Sequence, residues 1–190
     1  SLTLSTLGGY ALARSGFRYA FWILIASLIV RAMPNITLVS GYLLPFFELG
    51  LWGHLSTTII VLVAINQPFT LWMLHSFFQN IPKELDETAY VDGYSFGRFF
   101  FKIFIPTIAA GIGITMFFCF MFSWVELLLA KTLTATIAKP IAAIMTRTSS
   151  TSGYELGLLA AAGSLTIIPG AVVIYFVRNY IAKGFAMGRV

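Results

Sequence analysis

Residues 87 to 106 read Glu87-Thr-Ala-Tyr-Val-Asp92-Gly93-Tyr-Ser-Phe-Gly-Arg98-Phe-Phe-Phe-Lys102-Ile-Phe-Ile-Pro106. This polar, charged stretch lies between two long apolar ones. Four of the seven acidic residues, Glu84, Asp86, Glu87 and Asp92, gather within nine positions. Elsewhere charge is scarce: the chain is 58% hydrophobic and 10% charged, with a mean hydropathy of +0.88. A soluble domain carries about 25% charged residues. The composition belongs in a bilayer, and the acidic stretch is then a short amphipathic element on its aqueous face.

A bilayer core of about 30 Å takes about 20 mostly apolar residues per helix. Four runs meet that length, at 19–44, 55–78, 103–130 and 156–177. A partial span at Ser1–Ala13 resembles the end of a helix, so one or more N-terminal helices are expected to precede it. Spanning segments must satisfy their own backbone polar groups in lipid, which selects helices. The expected fold is an all-α polytopic transmembrane bundle in one domain over 1–190, with a loop at 79–102 and a tail at 178–190. Pro34 and Pro68 interrupt two of the runs. Each removes a backbone donor and predicts a bend or break.

Loop charges predict the orientation. Arg14, Arg18, Lys83, Arg98, Lys102, Arg178, Lys183 and Arg189 fall on one side by alternation, against Lys131, Lys139 and Arg147 on the other. The richer side, which holds the acidic loop and the C-terminus, is expected to be cytoplasmic. Arg31, left near the end of a span, reads as a snorkelling side chain. The net charge of +5 orients loops and does not point to nucleic acid. Cys119 stands alone, and His54 and His75 lack ligand spacing, so no metal site is expected. The Ser- and Thr-rich segment 131–153 reads as an external loop.

Within the acidic loop, Pro82 suits a first helical turn. Glu84, Asp86 and Glu87 then favour the positive end of the helix dipole. Gly93 predicts the stop, because glycine takes the left-handed conformation readily. Ser95 is positioned to cap a second short helix carrying Phe96, Arg98 and Phe99. Leu85 and Ala89 share one face of the first helix; Glu84, Glu87 and Val91 share another. Helices that lie on lipid are rich in Lys and Arg, whereas this one is acidic. A protein partner suits it better.

Glu87-Thr-Ala-x-x-Asp92-Gly93, followed by Ile103-x-x-Pro106, resembles the "EAA" loop of ATP-binding-cassette importer permeases, as does the lead-in Ile81-Pro82-Lys83-Glu84-Leu85. Thr88 stands where alanine is usual and Ile105 where leucine is usual. Ser123-Trp124-x-Glu126 resembles the Ser-Trp-Asn-Glu signature of the carbohydrate-uptake branch, with Val125 in place of asparagine. Tyr180-Ile-x-Lys183-Gly184-Phe185-x-x-Gly188 resembles that branch's tail, and Tyr10-Ala-Leu-Ala-Arg14 the close of its second helix. The resemblance spans nearly the whole chain, which is similar to the second permease of the maltose and glycerol or glycerol-phosphate systems.

That resemblance implies a permease paired with a second permease, two ATP-binding-cassette ATPase subunits and an extracytoplasmic solute-binding protein. ATP and Mg would be bound by the ATPases; this chain has no Gly-x-x-x-x-Gly-Lys-[Ser/Thr] loop and is not expected to be an enzyme. The motif implies that Glu84, Leu85, Glu87, Ala89, Asp92 and Gly93 dock on the ATPase. Candidates for the substrate path are Trp124 and Glu126, an aromatic beside a carboxylate, and the mid-span amides Asn66 and Gln67. The amides could equally hold helices together. Ala109 with Gly113, and Gly157 with Ala161, have the spacing of close helix packing. A sugar or polyol is the expected cargo. The alternatives are a related permease for amino acids or polyamines, or a secondary transporter without an ATPase.

Overall fold

The computed structural model describes residues 1–16, 18–134, 141 and 156–187. Most of the expected external loop, with Lys139 and Arg147, and the last three residues of the tail lie outside the described residues. Among the described residues the regular structure is helical, with one isolated bridge between Gly53 and Thr134. The helices are α1 (Leu2–Arg14), α2 (Ala20–Ala32), α3 (Asn35–Glu48), α4 (Leu55–Gln79), α5 (Glu84–Val91) and α6 (Phe96–Phe99). A π-helical turn, Phe100–Phe104, leads to α7 (Ile105–Thr107), α8 (Ala109–Trp124), α9 (Leu128–Leu133) and α10 (Leu156–Met187).

Two helices, Leu55–Gln79 and Ala160–Tyr180, are individually long and apolar enough to cross a membrane. Two further spans arise if each bent pair counts as one. The first bend is at Met33-Pro34, where Ala20–Ala32 and Thr37–Glu48 diverge by 97°. The second lies at Ile108, where Phe96–Thr107 and Ala109–Trp124 diverge by 75°. Pro106 explains the local geometry. It has no N–H to give to the carbonyl four residues back, and its ring crowds that carbonyl. The preceding turn widens, and the Ile105 N–H reaches the Phe100 carbonyl instead. By contrast, α4 runs unbroken through Pro68.

The helices do not follow the apolar runs everywhere. The run expected at 103–130 ends its helix at Trp124, and α9 starts afresh at Leu128. The expected tail is helical through Met187, as part of the 32-residue α10. At 1.5 Å per residue that helix is about 48 Å long, well beyond a bilayer core.

Contacts divide the chain into two units, both assembled from separated segments. The first comprises Ser1–Ile29, Gln67–Cys119 and Val177–Val190. Its core is Leu74, Phe78, Ala89, Phe99, Phe100, Phe104 and Ile108. Tyr10 stacks into it, with its ring 5.4 Å from Phe100 and 4.8 Å from Phe104, both edge-on. Edge-to-face contacts of this kind add about 0.5–1.5 kcal/mol to the burial itself. Glycines let helices close on this core: a β-carbon on Gly111 would lie 2.6 Å from Phe77 Cγ, and one on Gly113 2.9 Å from Tyr180 Cβ. Gly113 thus packs closely, as its spacing predicts, while a β-carbon on Gly157 would meet nothing within 4 Å among the described residues.

The second unit comprises Val30–Asn66 and Phe120–Phe176. Val39, Val61, Ile65, Leu129 and Leu133 form its core, flanked by Leu43, Phe46 and Leu62. The Gly53 N–H donates to the Leu133 carbonyl at 3.2 Å, and Trp52 Nε1 to the Thr132 carbonyl at 3.2 Å. Arg31 lies with its guanidinium carbon 5.6 Å from the Phe122 ring centroid, a cation–π contact.

Candidate functional site

The acidic loop folds as helix, glycine turn, helix. α5 opens with Glu84, Asp86 and Glu87 in its first turn. Its end is closed by Gly93 at φ 77°, with the Tyr94 N–H donating to the Ala89 carbonyl at 3.0 Å. That pairing across six residues is the Schellman arrangement, which requires a left-handed residue at the turn. Ser95 holds the N-cap position of α6 in extended conformation, yet its side chain makes no capping hydrogen bond. Pro82 sits just before α5, and its carbonyl accepts from the Leu85 N–H.

The two faces of α5 have different fates. Glu84, Glu87, Asp92 and Gly93 are exposed, and Val91 is 87% exposed. Ala89 is buried at 4%, and Leu85 packs on the same core. Ala89 is therefore packed inside this chain, and Leu85 is half-buried on the same side. They belong to the same apolar cluster as Leu74, Phe78, Phe99, Phe100 and Phe104. What remains outward is the acidic edge with Val91 and Tyr90.

Asp86 parts from the other acids. It is buried, and its Oδ2 lies 2.7 Å from Arg14 Nε. Arg14 Nη1 also donates to the Ile81 carbonyl at 2.8 Å. Burial pushes the Asp86 carboxyl above the ordinary carboxylate range, while the Arg14 charge and hydrogen bonds from Arg14 and Tyr10 draw it back. The sequence reading had no partner for Asp86. The available signal was the spacing of Tyr10 and Arg14, four apart and so on one face of α1.

The substrate-path candidates are engaged within the protein. Glu126 Oε2 accepts from Asn35 Nδ2 at 2.8 Å, and Oε1 accepts from the Leu129 N–H at 3.3 Å. Glu126 therefore caps α9 and ties it to α3. Trp124 stacks on Phe120, centroids 5.6 Å apart, and its Nε1 donates to the Thr166 carbonyl at 3.1 Å. Asn66 Nδ2 bonds the Leu62 carbonyl at 2.9 Å and Ser123 Oγ at 3.0 Å, with the side chain buried. In the other unit, Gln67 Nε2 donates to Ser5 Oγ at 2.7 Å, which in turn lies 2.5 Å from Thr70 Oγ1. The two amides thus make separate polar clusters, each joining helices of its own unit. Among the described residues no group of His, Cys, Asp and Glu is placed to hold a metal ion.

A short acidic helix closed by a left-handed glycine thus lies between the unbroken α4 and the bent pair Phe96–Thr107 and Ala109–Trp124. Residues 5–187 match the family model described as "Binding-protein-dependent transport system inner membrane component". The chain belongs to this family. This transport component is 30% identical to the trehalose transport system permease protein SugB of Mycobacterium tuberculosis, over the whole chain and 70% of that protein. It is 28% identical to the sulfoquinovosyl glycerol transport system permease protein SmoH of Agrobacterium fabrum, over 99% of the chain and 66% of that protein. The fold matches a subunit in the crystal structure of a bacterial ABC transporter involved in import of the acidic polysaccharide alginate. The TM-score is 0.75 at 20% identity, covering 95% of this component and 68% of that chain. The component is accordingly a helical permease of the carbohydrate-uptake ABC importer type.

Proposed function

We propose that this permease forms part of the translocation path for a sugar, polyol or related small hydroxylated solute and takes its driving force from separate ATPase subunits through α5. The observation that carries the reading is the outward acidic edge of α5, set between α4 and a bent span in a chain of this family. Glu84, Glu87 and Asp92 supply acceptors for basic side chains or backbone N–H groups of an ATPase, and Gly93 fixes the turn that presents them. A second, related permease completes the path, and an extracytoplasmic binding protein delivers the cargo. ATP and Mg reside in the partners, and this chain performs no catalysis. α5 and the C-terminus lie on the cytoplasmic side of a bacterial inner membrane.

A secondary transporter would use an intramembrane carboxylate to couple an ion. Glu126, the candidate for that task, is held by Asn35 and the start of α9. The engagement of Trp124 and Glu126 also leaves more of the cargo contact to the partner permease.

The test is to isolate the full-length chain from its native membrane in mild detergent and weigh the intact complex. A mass that accounts for this chain, a second permease and two ATPases supports the reading. ATP hydrolysis stimulated by the binding protein with trehalose, maltodextrin or glycerol then sorts the cargo. A bare monomer without a nucleotide-binding partner refutes it.

A further inference from the structure

We propose that Arg14 is a positioning residue that locks α5 to α1, so that a displacement imposed on α5 is carried into the membrane bundle. The inference rests on the importer reading and adds a residue to its machinery.

Arg14 stands at the end of α1, and one guanidinium engages three other segments. Its Nε faces Asp86 of α5 at 2.7 Å. Its Nη1 holds the Ile81 carbonyl, just ahead of α5, at 2.8 Å. Its carbon lies 5.7 Å from the ring centroid of Phe104 in the π-helical turn. The Arg14 and Asp86 side chains are only 10% and 12% exposed. One turn earlier, Tyr10 packs on Phe96, Phe100 and Phe104.

α5 needs such a tether. It is eight residues long and its N-cap, Lys83, makes no side-chain cap. Isolated helices shorter than about 12 residues are marginal in water. Ala89 and Leu85 supply apolar burial, but an apolar contact can slide. The Nη1 hydrogen bond to the Ile81 carbonyl gives direction, and the ion pair with Asp86 gives a second fixed distance. Burial raises the Asp86 carboxyl above its ordinary range in spite of its partner, and a buried ion pair is weak evidence for stability. Buried ion pairs of this kind are better explained by the geometry they enforce.

The experiment uses the complete importer in lipid nanodiscs and follows hydrogen exchange with and without Mg-ATP and vanadate. In the wild type, trapping alters exchange in α5 and in the C-terminal half of α1. In Arg14→Met, α5 still responds, while the α1 response falls by roughly tenfold, an ordinary size for a coupling effect. Arg14→Lys, which keeps a charge opposite Asp86 but loses the second contact to Ile81, recovers only part of it. If Arg14→Met does not assemble, Asp86→Asn is read in the same way. Faster exchange in both helices in every nucleotide state, with the trapping difference in α1 intact, means that Arg14 only supports the fold and overturns the proposal. Absence of an ATPase from the wild-type complex, or no response of α5 to trapping, overturns the importer reading and the lock with it.

Discussion

Glu126 and Asn35, 91 positions apart in sequence, meet at 2.8 Å through Oε2 and Nδ2. The other Glu126 oxygen accepts from the Leu129 N–H. Together these bonds start α9 and fix it to α3, whose Val39 shares a core with Leu129 and Leu133. Removing both, as in Glu126→Ala, should cost about 1–3 kcal/mol. Glu126→Gln keeps one acceptor and should cost less. Thermal midpoints of the purified complex give the order wild type, Gln, Ala. A loss of uptake in Glu126→Gln with an unchanged midpoint would instead assign the carboxylate to the cargo.

Gly111 faces Phe77 so closely that Gly111→Ala must displace an aromatic ring in the first unit's core. Overpacking of this kind costs about 1–3 kcal/mol. Gly157→Ala, whose β-carbon would meet nothing within 4 Å among the described residues, should leave the melting temperature unchanged or slightly raised, since alanine favours the helix. Equal effects of the two substitutions would contradict the packing described.

Glu87 is exposed and has no role in the core. Glu87→Lys should therefore alter stability by no more than about 0.5 kcal/mol, yet abolish ATP-driven uptake by reversing charge on the docking edge. Gly93→Pro should also uncouple, by another route. It removes the N–H that donates to the Tyr90 carbonyl and forbids φ 77°. Normal uptake in both variants would refute the docking role of α5.

Burial of Asp86 gives the loop a pH dependence whose sign follows from the raised carboxyl. Its folded-state pKa lies above the ordinary value because of burial, despite Arg14 and Tyr10. Its contribution to stability is present below the ordinary carboxylate value and is lost as pH rises through the folded value. Measured against the non-titrating Asp86→Asn, wild-type stability should fall as pH is raised through that window. In Arg14→Met, which removes the neighbouring charge, the window should move to higher pH. Melting curves across a pH series read both effects.

The helical membrane fold was legible in the chain because its causes are local. Apolar runs of spanning length select helices in lipid, Pro34 marks a bend, and Gly93 marks the end of α5. The loop motif could likewise be read from residues that are near neighbours. Pairings between distant segments could not. Composition grouped Asp86 with Glu84, Glu87 and Asp92, and only the packing of α5 on α1 turned it toward Arg14. Tertiary packing likewise placed Ala89, with Leu85 half-buried beside it, in the first unit's apolar cluster. Trp124 and Glu126 carried the residue types of a ligand site, and tertiary structure gave their polar atoms to Thr166, Asn35 and Leu129. Sequence determined which segments are helical and where the polar loop lies. The tertiary structure decided which polar groups remain outward, because a side chain's free valence depends on neighbours that sequence distance does not specify.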